Sequence, residues 1–147
     1  MKLPKYQLKS GQELSSYEFI SEGPKGLIKK QVQFTLINEE RAYNLAFGDE
    51  DETGAINDLA ISDNGDSEKV LATVIAAVYA FCSKHQDIWI YATGSTRART
   101  RLYQMGIAKY WEDITEYFEV YGEFNEEWEY FEFGKNYTSF LAKQKIH

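Results

Sequence analysis

Apolar and polar residues alternate with a period of two along most of the stretch from Tyr17 to Ser62, which predicts strands. Residues 17–21 read as one strand and Glu22-Gly23-Pro24-Lys25-Gly26 as its turn. Residues 27–37 read as a longer strand, with Ile28, Val32, Phe34 and Leu36 on one face and Lys29, Gln31, Gln33 and Thr35 in water. After a second turn at 38–41, Tyr43, Leu45 and Phe47 alternate as far as Gly48 and the acidic loop Asp49-Glu50-Asp51-Glu52-Thr53-Gly54. Residues 54–62 read as the fourth strand. Turns this short predict an antiparallel meander.

The period then changes. After the turn Asp63-Asn64-Gly65-Asp66, apolar residues recur three and four apart (Val70, Leu71, Val74, Ile75, Val78), predicting a helix over 67–84. Thr73, Ala76, Ala77 and Ala80 leave it little polar face, so it is expected to be packed on a sheet and largely covered. Residues 87–93, with Ile88-Trp89-Ile90-Tyr91, read as a short strand for the middle of the sheet. A short helix follows, ending at Gly106 as its C′ residue. From 110 to 140 aromatic residues alternate with glutamates around a turn at 122–125, which predicts an edge β-hairpin, and 135–147 read as a loose or docked tail. The expected class is α+β: a mixed, mostly antiparallel sheet of six to seven strands packed by two main helices.

Composition adds bounds. At 147 residues with two prolines, residues 1–147 fit a single domain. No stretch approaches the length that spans a membrane. The first sixteen residues, mixing lysines with single apolar residues, do not read as a targeting segment, so the expected location is cytoplasmic. Cys82, the one cysteine, lies in an apolar run and reads as a small core residue. The net charge is −7, unevenly spread: residues 49–68 and 110–134 carry acids and no base, and residues 95–109 carry Arg97, Arg99, Arg101 and Lys109 and no acid. Acidic belts on both sides of a basic island would repel a phosphate backbone, which excludes duplex nucleic acid as the natural partner. A small anionic ligand or a protein partner fits better.

The candidate chemistry lies on that island. In Gly94-Ser95-Thr96-Arg97-Ala98-Arg99-Thr100-Arg101, a polar turn opens a helix whose first amides and dipole favour an anion, with Arg97 and Arg101 four apart on one face. The competing reading is a capped helix whose arginines pair with the neighbouring acids. The stretch lacks the Gly-Lys-Ser/Thr of a nucleotide P-loop, which disfavours nucleotide hydrolysis. Asp58 is either a structural salt-bridge partner for these arginines or the acid half of a site, and the structural role is preferred. The loop 49–54 has calcium-like oxygens at positions one, three and five and glycine at six, but position twelve is Ala60, so a solvated turn is preferred to a metal site. His85 and His147 are too isolated for a metal cluster, and no serine or cysteine has an evident base. The aromatic ribbon, 110–133, offers a second reading: a protein-interaction module, with self-association through it as one form.

Residues 54–133 resemble the GCN5-related N-acetyltransferase fold, on the order strand, covered helix, strand, short helix bearing Leu102-Tyr103, closing hairpin. The resemblance implies an acyltransferase in which Tyr103 is the general acid that protonates the departing coenzyme A thiolate. Where that family holds a pyrophosphate, this chain has Asp63, Asp66 and Glu68, three acids that would repel it. No cofactor is therefore expected. The run Ser62-Asp63-Asn64-Gly65-Asp66, the segment Lys69-Val70-Leu71-Ala72-Thr73-Val74, and Gly-Ser-Thr with Arg-Thr-Arg-Leu-Tyr are also similar to a family of small bacterial proteins without an assigned function, over most of 43–121. The leading expectation is a non-catalytic or degenerate domain that binds an anionic group, either a phosphorylated small molecule or an acidic protein segment, at Gly94 to Arg101.

Overall fold

The computed structural model describes residues 5–10, 15–37, 41–57, 64–94 and 96–145. They form an α+β fold with a mixed, mostly antiparallel nine-stranded sheet and three helices. The chain divides into two compact units, residues 1–35 with 46–84 and residues 36–45 with 85–147. No helix among the described residues is long and apolar enough to cross a membrane.

The first unit holds β1 (Lys9–Ser10), β2 (Ser16–Gly23), most of β3 (Gly26–Ile37), the end of β4 (Ala42–Glu50), β5 (Ile56–Asn57) and α1 (Ser67–Lys84). β2 and β3 pair antiparallel around the Gly23–Gly26 turn, and the helix has the extent that its periodicity predicts. Its core joins Tyr17, Phe19, Val32, Phe34 and Phe47 to Val70, Val74, Ala77, Phe81 and Cys82 of α1. The rings of Phe34 and Phe81 stack with centroids 4.2 Å apart. Cys82 is buried as expected, and that burial pushes its thiol pKa up to about 12, which leaves it inert at neutral pH.

Two polar features of this unit depart from the alternation. Lys30 shares the face of Val32 and Phe34 and is 1% exposed, with its Nζ 2.6 Å from Asp49 Oδ1. Gln31, expected in water, is also buried, because its amide donates to Glu50 Oε1 and to Gly54 O, both at 2.7 Å. The acidic loop thus meets β3 through Asp49 and Glu50, while residues 51–54 stand in solvent as the solvated-turn reading expects. Its turn is organised by Asp51, whose Oδ1 accepts from Thr53 N, Thr53 Oγ1 and Ala55 N. Those donors, the Thr53 hydroxyl first, hold the Asp51 carboxyl below the usual carboxylate range. Ahead of α1, buried Asn64 donates to Gly26 O at 2.9 Å and accepts from Lys25 N at 2.6 Å, so it clamps the β2–β3 turn.

The second unit holds the start of β4, β6 (Trp89–Ala92), α2 (Arg97–Lys109), α3 (Trp111–Tyr117), β7 (Phe118–Phe124), β8 (Glu127–Tyr130) and β9 (Ser139–Gln144). Its strands run in the order β4-β6-β9-β7-β8, with β6 parallel to β4 and each later pair antiparallel. β6 lies between two strands, as its apolar run predicts. Three expectations are corrected here. Gly106 does not end α2, which continues to Lys109 with Gly106 buried inside it. The ribbon begins only at Phe118, because Tyr110, Ile114 and Phe118 recur every four residues and put residues 111–117 in a helix. The supposed tail is β9, which inserts between β6 and β7 and raises the strand count above six to seven. The hairpin β7–β8 does end the sheet, as expected.

Candidate functional site

Helix α2 sorts its side chains by spacing. Arg99, Tyr103 and Gly106, at i, i+4 and i+7, form the buried stripe. Arg97, Thr100, Arg101 and Gln104 form another, which lines a hollow of about 800 Å³ together with Thr93, Gly94, Thr96, Ala98, Asn136, Tyr137 and Thr138. The sequence placed three arginines on one small helix, and the structure gives only two of them to this face.

The entry to α2 is fixed locally. Thr96 is the N-cap: its Oγ1 accepts from Arg99 N at 3.3 Å and its carbonyl from Thr100 N at 3.1 Å. The cap leaves the amides of Arg97 and Ala98 to the hollow side. Gly94 N donates to Thr100 Oγ1 at 3.0 Å, which holds the incoming strand end against the helix. An added Cβ at Gly94 would lie 2.3 Å from Thr100 N, so only glycine admits this approach.

The far wall is the segment 131–138, held to α2 by Gln104. Its Nε2 donates to Lys135 O, and its Oε1 accepts from Tyr137 N at 3.0 Å. Glu129 secures the same wall through Lys135 Nζ at 2.8 Å and the Tyr137 hydroxyl at 3.0 Å. The Lys135 hydrogen bond, then that of Tyr137, holds the Glu129 carboxyl below its ordinary value. A depressed carboxyl stabilises above its unfolded pKa of about 4.3 and loses that contribution as pH falls through the lowered value. Melting curves from pH 6 to 3 should therefore show a shallower acid decline in Glu129→Gln than in the parent.

No Asp or Glu is among the described residues that line it. Arg97 and Arg101 are exposed, and neither has an ion-pair partner among the described residues. Of the residues singled out in the sequence, Gly94, Thr96, Arg97 and Arg101 come together here. Ser95 and Asp58 lie outside the described residues. Tyr103, 8% exposed, stands on the buried stripe and not in the hollow. Gln104 could have been found from sequence, since it continues the Arg97 and Arg101 face. Asn136, Tyr137 and Thr138 arrive from a distant segment with no local signal. Among the described residues, no three His, Cys, Asp or Glu side chains are placed to hold a metal ion.

These features define an α+β protein with an arginine-bearing hollow at the start of a helix. The chain belongs to DUF6934, a family of unknown function, which it matches over residues 2–145. No curated protein and no solved structure matches it.

Proposed function

We infer that the hollow beside α2 binds an anionic group, a phosphorylated small molecule or an acidic segment of a protein. One observation carries this reading: Arg97 and Arg101 share a cavity wall with Thr93, Thr96, Thr100, Gln104 and Asn136, and none of the described residues lining that cavity carries a carboxylate. Guanidinium groups hold oxyanions in bidentate fashion, and the Thr96 hydroxyl, the Asn136 amide and the first α2 amides are the donors left to complete a shell, since the Thr93 and Thr100 hydroxyls already donate to backbone carbonyls. In the absence of bound anion the two positive charges lie near the positive end of the helix dipole, so a bound anion relieves their repulsion.

A thermal-shift titration tests the reading. Inorganic phosphate and pyrophosphate at about a hundredfold above Kd should contribute roughly 2.7 kcal/mol, a rise of several degrees for a chain of this size. Arg97→Ala with Arg101→Ala should melt near the parent temperature without anion and lose the response. A response that survives the double substitution would remove the site. The resemblance-based acyltransferase reading draws no support from this cavity, given the position of Tyr103.

The β7–β8 hairpin favours a second reading, a protein-contact ribbon. Tyr130 and the nearby Phe133 are 68% and 61% exposed, more than an isolated domain needs to leave uncovered.

A further inference from the structure

The sheet of the second unit buries one face through Ile90, Ala92, Phe118, Val120 and Phe140, and leaves most described residues of the other half-buried or exposed. Strand register assembles the second face. Ala42, Trp89, Lys143 and Glu119 form one row, Asn44, Tyr91, Leu141, Tyr121 and Tyr130 the next, and Ser139, Glu123 and Trp128 a third. Its rings form two groups. Trp89 and Tyr121 have centroids 5.6 Å apart, Tyr121 and Tyr130 stack at 4.9 Å, and Tyr91 meets Trp128 edge-on at 6.2 Å. Beside them Ile37, Ala42, Trp89, Tyr91 and Leu141 line an apolar hollow of about 520 Å³. Ala42, the small member of the first row, leaves the space that a larger side chain opposite Trp89 would fill.

The charges on this face indicate what covers it. Lys143 Nζ already lies 5.2 Å from the centroid of Trp89, so one of these rings holds a cation of the chain's own. Glu119 and Glu123 project from β7 on either side of Tyr121, whose hydroxyl donates to Glu119 Oε2 at 3.4 Å. Burial, then Tyr130 and Glu119, push the Tyr121 pKa up to about 12, so the phenol stays protonated and adds no competing charge of its own. A second copy is a poor occupant, because a twofold contact would set the same glutamates of a −7 chain against themselves. The hollow is lined by hydrocarbon and rings, which suits an aliphatic side chain better than a sugar ring edged with hydroxyls.

We propose that this open face docks a basic peptide segment of a partner protein, seating an aliphatic side chain in the Trp89–Tyr91 hollow and stacking arginine on the Tyr121–Tyr130 rings beside Glu119. The proposal rests on the ribbon reading for β7 and β8, and adds the centre of the face and the chemistry of the partner. Arginine is favoured over lysine because its planar guanidinium stacks on a ring and pairs with a carboxylate at once.

The test titrates the full chain into fluorescein-labelled Arg-Leu-Arg-Leu-Arg-Leu-Arg and follows anisotropy, with lysine-for-arginine and aspartate-for-arginine peptides beside it. The arginine peptide should bind several-fold tighter than the lysine peptide, and any binding of the aspartate peptide should be lost in Arg97→Ala with Arg101→Ala, because it belongs to the α2 hollow and not to this face. Trp128→Ala with Tyr130→Ala, which leaves the net charge unchanged, should weaken binding roughly tenfold. Should that pair lower the melting temperature, Tyr130→Ala alone, on a ring already 68% exposed, serves in its place. Glu119→Gln with Glu123→Gln should weaken binding and flatten its salt dependence, whereas Arg97→Ala with Arg101→Ala should leave the arginine peptide bound at least as tightly. Equal affinity for arginine and lysine peptides, unaffected by loss of the rings, would reduce the effect to general attraction by an acidic chain and overturn the proposal. Light scattering of the free protein separates the underlying reading: a dimer lost on removing Trp128 and Tyr130 keeps the ribbon as a contact but makes a second copy its occupant.

Discussion

Asp49→Ala is expected to lower the unfolding free energy by about 3–5 kcal/mol, the largest effect of any single charge removal in the first unit. Lys30 Nζ is 2.6 Å from Asp49 Oδ1, and the side chains are 1% and 14% exposed, so the ammonium would lose its carboxylate where water cannot replace it. The pair stands on the face that carries Val32, Phe34 and Phe47, the apolar centre of that unit. A buried ion pair need not stabilise relative to hydrocarbon, because removing two ions from water costs about what their attraction returns. Lys30→Met with Asp49→Leu should accordingly recover most of the loss, whereas either single substitution should not. Arg41–Asp87, with side chains 67% and 57% exposed, supplies the contrast, and breaking it should cost about 0–1 kcal/mol. Urea unfolding followed by circular dichroism decides between these outcomes. A cost below about 1 kcal/mol for Asp49→Ala would mean that another partner or water takes over the Lys30 ammonium and that the pair contributes no more than a surface bridge.

Lys30 also shows what alternation conveys and what it conceals. Period two put Ile28, Val32 and Phe34 on one face of β3, and the same parity carries Lys30 inward. A lysine in such a register reads as an interruption until its partner is known, and the partner is nineteen residues away on β4. Gln31 follows the same logic in reverse, since only the returning acidic loop makes its position a buried one. The long helix, by contrast, was legible to its end residues, because α1 carries its apolar stripe, its acidic first turn and its basic last turn within one continuous segment.

The misreadings in the second unit come from signals that compete or lie far apart. Phe118 and Val120 alternate with Glu119 and Tyr121, and carrying that period backward hid the spacing of Tyr110, Ile114 and Phe118 that makes α3. Gly106 has the look of a helix end, yet Tyr110 N donates to its carbonyl at 3.0 Å and the helix runs on. β9 is six residues with modest strand propensity, and it exists because β6 and β7 both offer it a ladder. The anion site was legible in its helical half, where capping and spacing are local. Its other wall is fixed by Gln104 reaching 31 and 33 residues along the chain, beyond the range of any sequence pattern.

Gly94→Ala should remove the anion response entirely while leaving every polar side chain of the hollow in the protein. The new methyl would lie 2.3 Å from Thr100 N and 2.6 and 2.7 Å from Cβ and C of Arg99, all within the first turns of α2. Two of these neighbours are backbone atoms in a capped helix, so relief requires that the helix start retreat from the strand end. Retreat breaks the bond from Gly94 N to Thr100 Oγ1 and displaces Arg97, Thr100 and Arg101 together. Overpacking of this kind costs about 1–3 kcal/mol, and the lost hydrogen bond about 1 more, so the melting temperature should fall by several degrees. The arginine double substitution differs in kind, since it removes exposed charges and should change stability by less than about 0.5 kcal/mol. Running both variants through the same phosphate titration distinguishes a site made by charge alone from one made by the placement of charge. Charge alone would leave Gly94→Ala responsive at its lowered melting temperature. Placement requires both variants to be silent, with only Gly94→Ala destabilised, because the contact of Gly94 with Thr100 and Arg99 sets where α2 begins.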